Sequence, residues 1–234
     1  MSAPRHILIT GTSHGIGAYL ARHYLAAGDV VIGCARSDAP IHEERYTHAK
    51  IDVSDEQGVR ALFHDIRHRL GVLDVLINNA GISCMNPAAL TPFETARGIL
   101  ATNFLGTFLF SHAAIRLLRA SSTGRIVNFT TDAVPLRLDG EAIYAASKSA
   151  VETFTRILAR EVGRFGITCN AVGPSPVKTR LTSNVAEGTM TQLISRQAIA
   201  RWAEPKDVTN VIDFFLRPES AMVTGQVVYL GGAG

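Results

Sequence analysis

The sequence predicts an α/β fold, a doubly wound parallel sheet with helices on both faces, and three observations carry that expectation. Short β-branched runs alternate with longer helical patterns from one end of the chain to the other. The runs Ile7-Leu8-Ile9, Val30-Val31-Ile32 and Val75-Leu76-Ile77 are continuously apolar, as strands covered on both faces require. No internal repeat and no Pro-, Gly- or Ser-rich linker interrupts the 234 residues, which therefore read as one domain, 1–234.

In chain order, Ile7–Thr10 is the first strand, and a helix at about 16–27 follows the glycine-containing turn behind it. Val30–Cys34 is the second strand and Ala49–Val53 a shorter third, before a helix at about 55–70. Leu73–Asn78 leads to a long helix at about 92–119, and Arg125–Thr130 to another at about 143–165. Thr168–Val172, helical pieces within 178–200, a helix at about 205–216 and a strand at Gln226–Leu230 complete the alternation. In such sheets ligands bind beyond the carboxyl ends of the strands, where strand order reverses. The residues just after each run are the ones to inspect.

Composition narrows the function classes. Hydrophobic residues at 47% against 18% charged describe a core-forming chain and exclude disorder as its main state. One Trp and 7% aromatic residues give few stacking platforms, and the 23 Lys and Arg are scattered among 20 acids without a basic run. No nucleic-acid partner is expected. Cys34, Cys84 and Cys169 lie far apart without a Cys-x-x-Cys pair, which suggests a reducing compartment and no thiolate metal site. His64 and His68 share a helix face, but Arg60, Arg67 and Arg69 crowd the same segment, so a solvated face explains them better than a metal. MSAPRHILITG is too short in apolar residues for a signal segment, and no apolar stretch approaches eighteen residues. A cytoplasmic location without a membrane partner is expected.

The first strand runs into Thr10-Gly11-Thr12-Ser13-His14-Gly15-Ile16-Gly17. Gly11 suits a tight turn, Gly15 lets backbone approach a ligand, and Gly17 lets helix and strand close together. Amide groups at the helix start, around Ser13, His14 and Ile16, suit a pyrophosphate. A dinucleotide is the implied ligand. The second strand ends in Cys34-Ala35-Arg36-Ser37, where an acid would bind ribose hydroxyls and repel a 2′-phosphate. Ala35 followed by the Arg36 guanidinium favours NADPH/NADP over NAD, against the competing readings of a solvated loop arginine and of Asp38 bending back upon it. At the end of the short third strand, Asp52 either accepts from the adenine amino group, with Val53 in apolar contact, or caps the helix near Asp55.

Tyr144 and Lys148 stand four residues apart on the helix at 143–165 and so share a face. A phenol titrates near pH 10, and an ammonium one turn away stabilises its phenolate and fits it for acid–base work. Such pairs also occur on helix surfaces without a role, but the small Ala145-Ala146-Ser147 leave room for a ligand. Thr131, just after the strand Arg125–Thr130, offers a hydroxyl to a substrate carbonyl oxygen, with Thr130 as an adjacent rival. Asn103, an amide in the apolar helix at 92–119, either holds a water that relays protons to Lys148 or satisfies local backbone at a kink. Ser13, Ser83 and Ser147 do not sit in a Gly-x-Ser-x-Gly elbow, which speaks against a hydrolase.

Across essentially the whole chain, the order of these motifs resembles the short-chain dehydrogenase/reductase family, and its 3-oxoacyl-carrier-protein reductases in particular. The residues that carry the likeness are Thr-Gly-x-x-x-Gly-Ile-Gly at 10–17, Asp52, Asn78-Asn79-Ala80-Gly81 and Asn103 in the first half. Thr131 after its strand, Tyr144-x-x-x-Lys148 and Asn170-Ala171-Val172-Gly173-Pro174 carry it in the second. The resemblance implies a Rossmann-type sheet of about seven strands, bound NAD(P)(H), and a tetrad of Asn103, Thr131, Tyr144 and Lys148. It makes Tyr144 the general acid for carbonyl reduction and sets Lys148 also on the nicotinamide ribose. It places Asn79, Ala80 and Gly81 beside the adenosine ribose, and Pro174, Val177 and Thr179 near the nicotinamide. It implies pairing of the helices at 92–119 and 143–165 between subunits, in a homodimer or homotetramer. Thr131 stands where the family usually has Ser, Ser175-Pro176 where Gly commonly follows Pro174, and His14 where NADP-preferring members often carry Arg or Lys.

The expected activity is NADPH-dependent reduction of a carbonyl substrate. Oxidation of an alcohol with NAD at the same site is one alternative, and a cofactor-binding regulator with weak catalysis is another, motivated by Thr131 and Ser175. The segment at about 178–203 is expected to cover the pocket. Its Leu181, Met190, Leu193, Ile194 and Trp202 suggest an apolar or amphipathic small molecule, such as a carrier-bound β-ketoacyl chain.

Overall fold

A computed structural model describes residues 3–183, 185 and 187–232. The chain begins β1 (His6–Thr10), α1 (Gly15–Ala26), β2 (Val30–Ala35), β3 (Tyr46–Lys50), α2 (Glu56–Arg69) and β4 (Val75–Asn78). It continues through α3 (Phe93–Leu100), a π-helical turn (Ala101–Leu105), α4 (Gly106–Leu118), β5 (Arg125–Phe129), the short α5 (Ala133–Leu136) and α6 (Ala142–Gly163). β6 (Thr168–Gly173), α7 (Glu187–Ser195), α8 (Pro205–Leu216) and β7 (Val227–Tyr229) close it.

All seven strands pair in parallel, in the order β3-β2-β1-β4-β5-β6-β7. Strand order therefore reverses between β1 and β4. Successive residues of one strand feed opposite cores: Leu8, Leu76 and Ile126 pack with Phe63, Phe110 and Leu117 of α2 and α4. Ile7, Ile9, Val75, Ile77 and Val127 pack with Leu20, Tyr24, Ile212 and Phe215 of α1 and α8. Two covered faces explain why the strand sequences are apolar without alternation.

Two sequence expectations need correction. The third strand lies at Tyr46–Lys50, three residues before the expected Ala49–Val53, and pairs in register with Val31–Ala35. Its position is set by polar contacts, for the Tyr46 hydroxyl bonds Thr12 Oγ1 and His48 Nδ1, each at 2.9 Å. The helix expected at 92–119 is a 26-residue composite, Phe93–Leu118, in which the π turn separates α3 from α4. By length and apolar content this composite could cross a membrane, against the reading that no apolar stretch approaches that size. Here Phe110, Ala114, Leu117 and Leu118 are instead buried in the core beneath the sheet.

Candidate active site

A cleft of about 450 Å³ runs along the carboxyl ends of the strands. Gly11 follows β1 into it, Ala35 and Arg36 enter from β2, Ile51–Val53 from β3 and Asn79–Gly81 from β4. Phe129–Asp132 at β5 and Pro174–Val177 after β6 form the opposite half. Ser13, His14, Gly15, Ile16, Tyr144, Lys148 and Thr179 complete the wall. Of the residues the sequence assigns to the tetrad or to the dinucleotide, Gly17 and Asn103 are the two that do not line it.

The glycine-rich turn is built as a cradle. Gly11 and Gly15 adopt φ of +77° and +60°, which side chains rarely tolerate. A Cβ on Gly17 would lie 2.2 Å from Gly11 O, so this glycine packs the helix against the turn from behind instead of touching a ligand. The Thr10 hydroxyl accepts from Asn79 N at 3.0 Å and Ala80 N at 2.9 Å, while Asn79 Nδ2 donates to Thr10 O at 2.8 Å. These bonds lock the turn to the segment after β4. α1 begins after an extended His14 and no described side chain caps it, which leaves its first amides for an anion.

At the β2 end, Arg36 is exposed on the rim. Asp38 turns away from it to pair with Lys50 at 3.3 Å in open solvent. Asp55, not Asp52, caps α2, accepting from Gln57 N at 3.1 Å. Asp52 instead accepts from Ser54 N at 2.9 Å and Ser54 Oγ at 2.7 Å. Burial opposes its ionisation, but Ser54 and the charge of Arg36 prevail and hold the carboxyl below its ordinary range.

Tyr144 and Lys148 lie one turn apart on α6, both buried. Lys148 Nζ donates to Phe129 O at 2.8 Å, and burial lowers its pKa to about 8. Burial drives the Tyr144 phenol above its ordinary value; Glu141 and Asp132 add to this and the Thr131 hydroxyl opposes it. The Lys148 ammonium, one turn along the helix, donates to the Phe129 carbonyl, and burial sets the upward shift of the phenol. The two threonines separate cleanly. Thr130 Oγ1 donates to Glu152 Oε1 at 2.7 Å, an oxygen that also takes the Tyr229 hydroxyl at 2.6 Å. Thr131 has only long contacts, with Ala133 N at 3.3 Å and Asp132 Oδ1 at 3.4 Å, and faces the phenol.

Asn103 occupies the π turn and is fully buried. Its Nδ2 donates to Ile82 O at 2.9 Å and Ser147 Oγ at 3.0 Å, and its Oδ1 accepts from Ile82 N at 2.9 Å. The amide braces the loop after β4 against α6 from outside the cleft. In the covering segment, Leu181, Met190 and Leu193 face the cleft as expected. Ile194 and Trp202 do not, and the Trp202 ring instead lies 5.4 Å from Lys178 Nζ. Ser175 is buried without a positive φ, so the turn after Pro174 does not need glycine here.

The sequence reading missed Asp132 and Glu141, whose buried carboxyls line the cleft. Burial pushes Asp132 up to about 7, against hydrogen bonds from Thr131 and Ala133, and burial together with Asp132 pushes Glu141 up to about 7. Their signal was available, since one follows Thr131 and the other precedes Tyr144 by three residues.

Residues 11–232 match the family model described as enoyl-(acyl carrier protein) reductase. The 3-oxoacyl-(acyl-carrier-protein) reductase FabG of Vibrio harveyi is 30% identical over 231 residues, covering 96% of this chain and 95% of the relative. The ligand-free aldohexose dehydrogenase of Thermoplasma acidophilum superposes with a TM-score of 0.89 at 26% identity, over 98% of this chain and 94% of that one. A short-chain dehydrogenase from Leptospira borgpetersenii with bound NAD+ gives 0.89 at 25% identity, over 98% and 92%. The chain belongs to the short-chain dehydrogenase/reductase family and is an NAD(P)-dependent oxidoreductase acting on CH–OH and C=O groups.

Proposed function

We propose that this protein is an NADPH-dependent ketoreductase. The observation that carries the reading is one continuous cleft joining the uncapped start of α1 and Arg36 to the hydroxyls of Tyr144 and Thr131. Its residues fit a nicotinamide dinucleotide: the positive-φ glycines form a cradle in which a Cβ on Gly11 would come within 3.0 Å of Ala80 Cα. Gly11, Ser13, His14, Gly15 and Ile16 hold the pyrophosphate, Arg36 the 2′-phosphate, and Asp52, Val53 and Asn79–Gly81 the adenosine end. Lys148, Pro174, Val177 and Thr179 hold the nicotinamide end. When bound, the reduced nicotinamide supplies the hydride that adds to the carbonyl carbon.

Tyr144 gives its proton to the carbonyl oxygen as the electron pair of the C=O bond moves there, and Thr131 donates to the same oxygen. The phenolate so formed lies one turn from Lys148 and regains a proton from solvent. Burial keeps the phenol protonated beforehand, the state required of an acid in the direction of reduction. Asn103 acts by holding the loop and α6 in place.

The name of the Vibrio harveyi relative makes a carrier-bound β-ketoacyl thioester the first compound to assay. The bound NAD+ of the Leptospira neighbour supports a second reading, NAD-dependent alcohol oxidation. Exposed Leu100, Leu105, Phe108 and Ile157 on α3, the π turn, α4 and α6 support assembly with a second copy, and we place the protein in the cytoplasm.

Tyr144→Phe is expected to lower kcat about 10²- to 10⁴-fold while the Kd for NADPH, read by fluorescence titration, stays unchanged. Wild-type turnover in that variant overturns the assignment. Arg36→Asp is expected to weaken NADPH about 10- to 100-fold and leave NADH unaffected or tighter. Equal losses for both cofactors would remove Arg36 from the 2′-phosphate.

A further inference from the structure

One hydrogen-bond chain beside β3 has no part in the reductase reading. The Tyr46 hydroxyl stands 2.9 Å from both Thr12 Oγ1 and His48 Nδ1, and His48 Nε2 stands 3.0 Å from Ser37 O. The chain therefore runs from the glycine-rich turn, across β3, to the residue that follows Arg36. Donors and acceptors fit in one direction for a neutral imidazole. A carbonyl oxygen only accepts, so Nε2 carries the ring proton, Nδ1 accepts from the Tyr46 hydroxyl, and the Thr12 hydroxyl donates to Tyr46. Burial raises the Tyr46 phenol above its ordinary value, and Thr12 opposes that rise, as a donor to the phenol oxygen does.

The fold makes room for this chain and fixes one end of it. Gly33 lies inside β2, where a glycine weakens a strand, and a Cβ there would overlap the Tyr46 hydroxyl and Thr12 Oγ1. Thr12 is fully buried, and Gly11 N and Thr12 N both donate to Cys34 O, at 2.7 and 3.3 Å. The other end is loose. Arg36, Ser37 and Asp38 are exposed, and besides the His48 contact their hydrogen bonds among the described residues come down to the Lys50–Asp38 pair, with side chains 61% and 84% exposed. Such a pair contributes about 0–1 kcal/mol. The imidazole is thus the main tether of the segment that carries Arg36.

We propose that His48 is a positioning residue for the 2′-phosphate of NADPH, acting through Ser37 and backed by Tyr46 and Thr12. Holding the Ser37 carbonyl toward β3 orients Arg36 at the rim of the cleft, which Ser37 also lines, so the ordering cost is met before the cofactor arrives. NADH has no group at that position and gains nothing from the tether. The proposal rests on the assignment of Arg36 to the 2′-phosphate.

The test titrates the full chain with NADPH and NADH by fluorescence, and with adenosine 2′,5′-bisphosphate and AMP by calorimetry, so that no readout depends on turnover. His48→Leu removes the tether. Tyr46→Phe removes the link to Thr12 but keeps the ring, and serves if the leucine variant does not fold. Each is expected to raise the Kd for NADPH and for the bisphosphate about 3- to 10-fold, as for the loss of one hydrogen bond, and to leave NADH and AMP within about twofold. His48→Gln keeps an amide donor for Ser37 O and is expected to stay within about twofold of wild type for all four ligands. A brace that merely held β3 to the sheet would weaken the four together.

Equal losses for both cofactors, NADPH binding unchanged in the folded variants, or a glutamine variant as weak as the leucine one overturns the proposal alone when Arg36→Asp still weakens NADPH selectively. If Arg36→Asp weakens both cofactors equally, the 2′-phosphate assignment falls and the proposal falls with it.

Discussion

Asp132 and Glu141 carry an ionisation penalty that the unfolded chain escapes. Burial, aided at Glu141 by the charge of Asp132, raises both to about 7, so between about pH 4 and 7 the folded state keeps protons that the unfolded state has released. Stability therefore falls as pH rises through that window and remains lower above it. Asp132→Asn and Glu141→Gln are each expected to stabilise the protein at pH 8, by about 1–3 kcal/mol, and to change little near pH 4. Scanning calorimetry at the two pH values checks this; equal shifts at both would assign the gain to packing. Tyr144, Lys148, Thr131 and the glycine-rich turn were legible because neighbouring residues give each its meaning. An acid reads as surface in a sequence, and only the fold shows that Asp132 and Glu141 are buried beside the cleft.

At the scale of elements, the long helix shows how a local irregularity serves the site. The π turn inserts Asn103 between the loop after β4 and α6, and three hydrogen bonds from one amide tie Ile82 to Ser147. Asn103→Ala removes all three and leaves the Ile82 backbone unmet. It is expected to cost about 2–4 kcal/mol in urea unfolding and to weaken NADPH binding through the loosened Asn79–Gly81 segment. Unchanged stability would show that the loop finds other partners. The helix itself was legible from its apolar pattern, and the reading of Asn103 as an amide satisfying backbone at a kink pointed to an irregularity there, but not to a π turn. β3 was misplaced for the opposite reason. Ile51 and Val53 drew the expected strand toward them, whereas Tyr46 and His48 hold it by hydroxyl and imidazole contacts that no hydrophobic pattern records.

For the whole molecule, alternation and continuous apolar runs were enough to imply a parallel sheet with its ligand at the carboxyl ends, because each strand must bury both faces. The substrate end was less legible, since residues 178–203 show no period and their roles depend on which side chains turn inward. The same architecture leaves Leu105 and Phe108 about half exposed, at 49% and 42%, on the face that also carries Ile157. Leu105→Glu with Phe108→Glu is expected to shift the protein to monomers in sedimentation velocity while its circular dichroism is preserved. A sedimentation coefficient identical to wild type would exclude this face as the contact. Glu152, bonded by Thr130 beside the cleft and by Tyr229 in β7, links the wall around Thr131 to the edge strand of the sheet. Until β7 pairs with β6, that buried carboxylate is held by Thr130 and Arg156 alone, so the wall is complete only once the edge strand has docked.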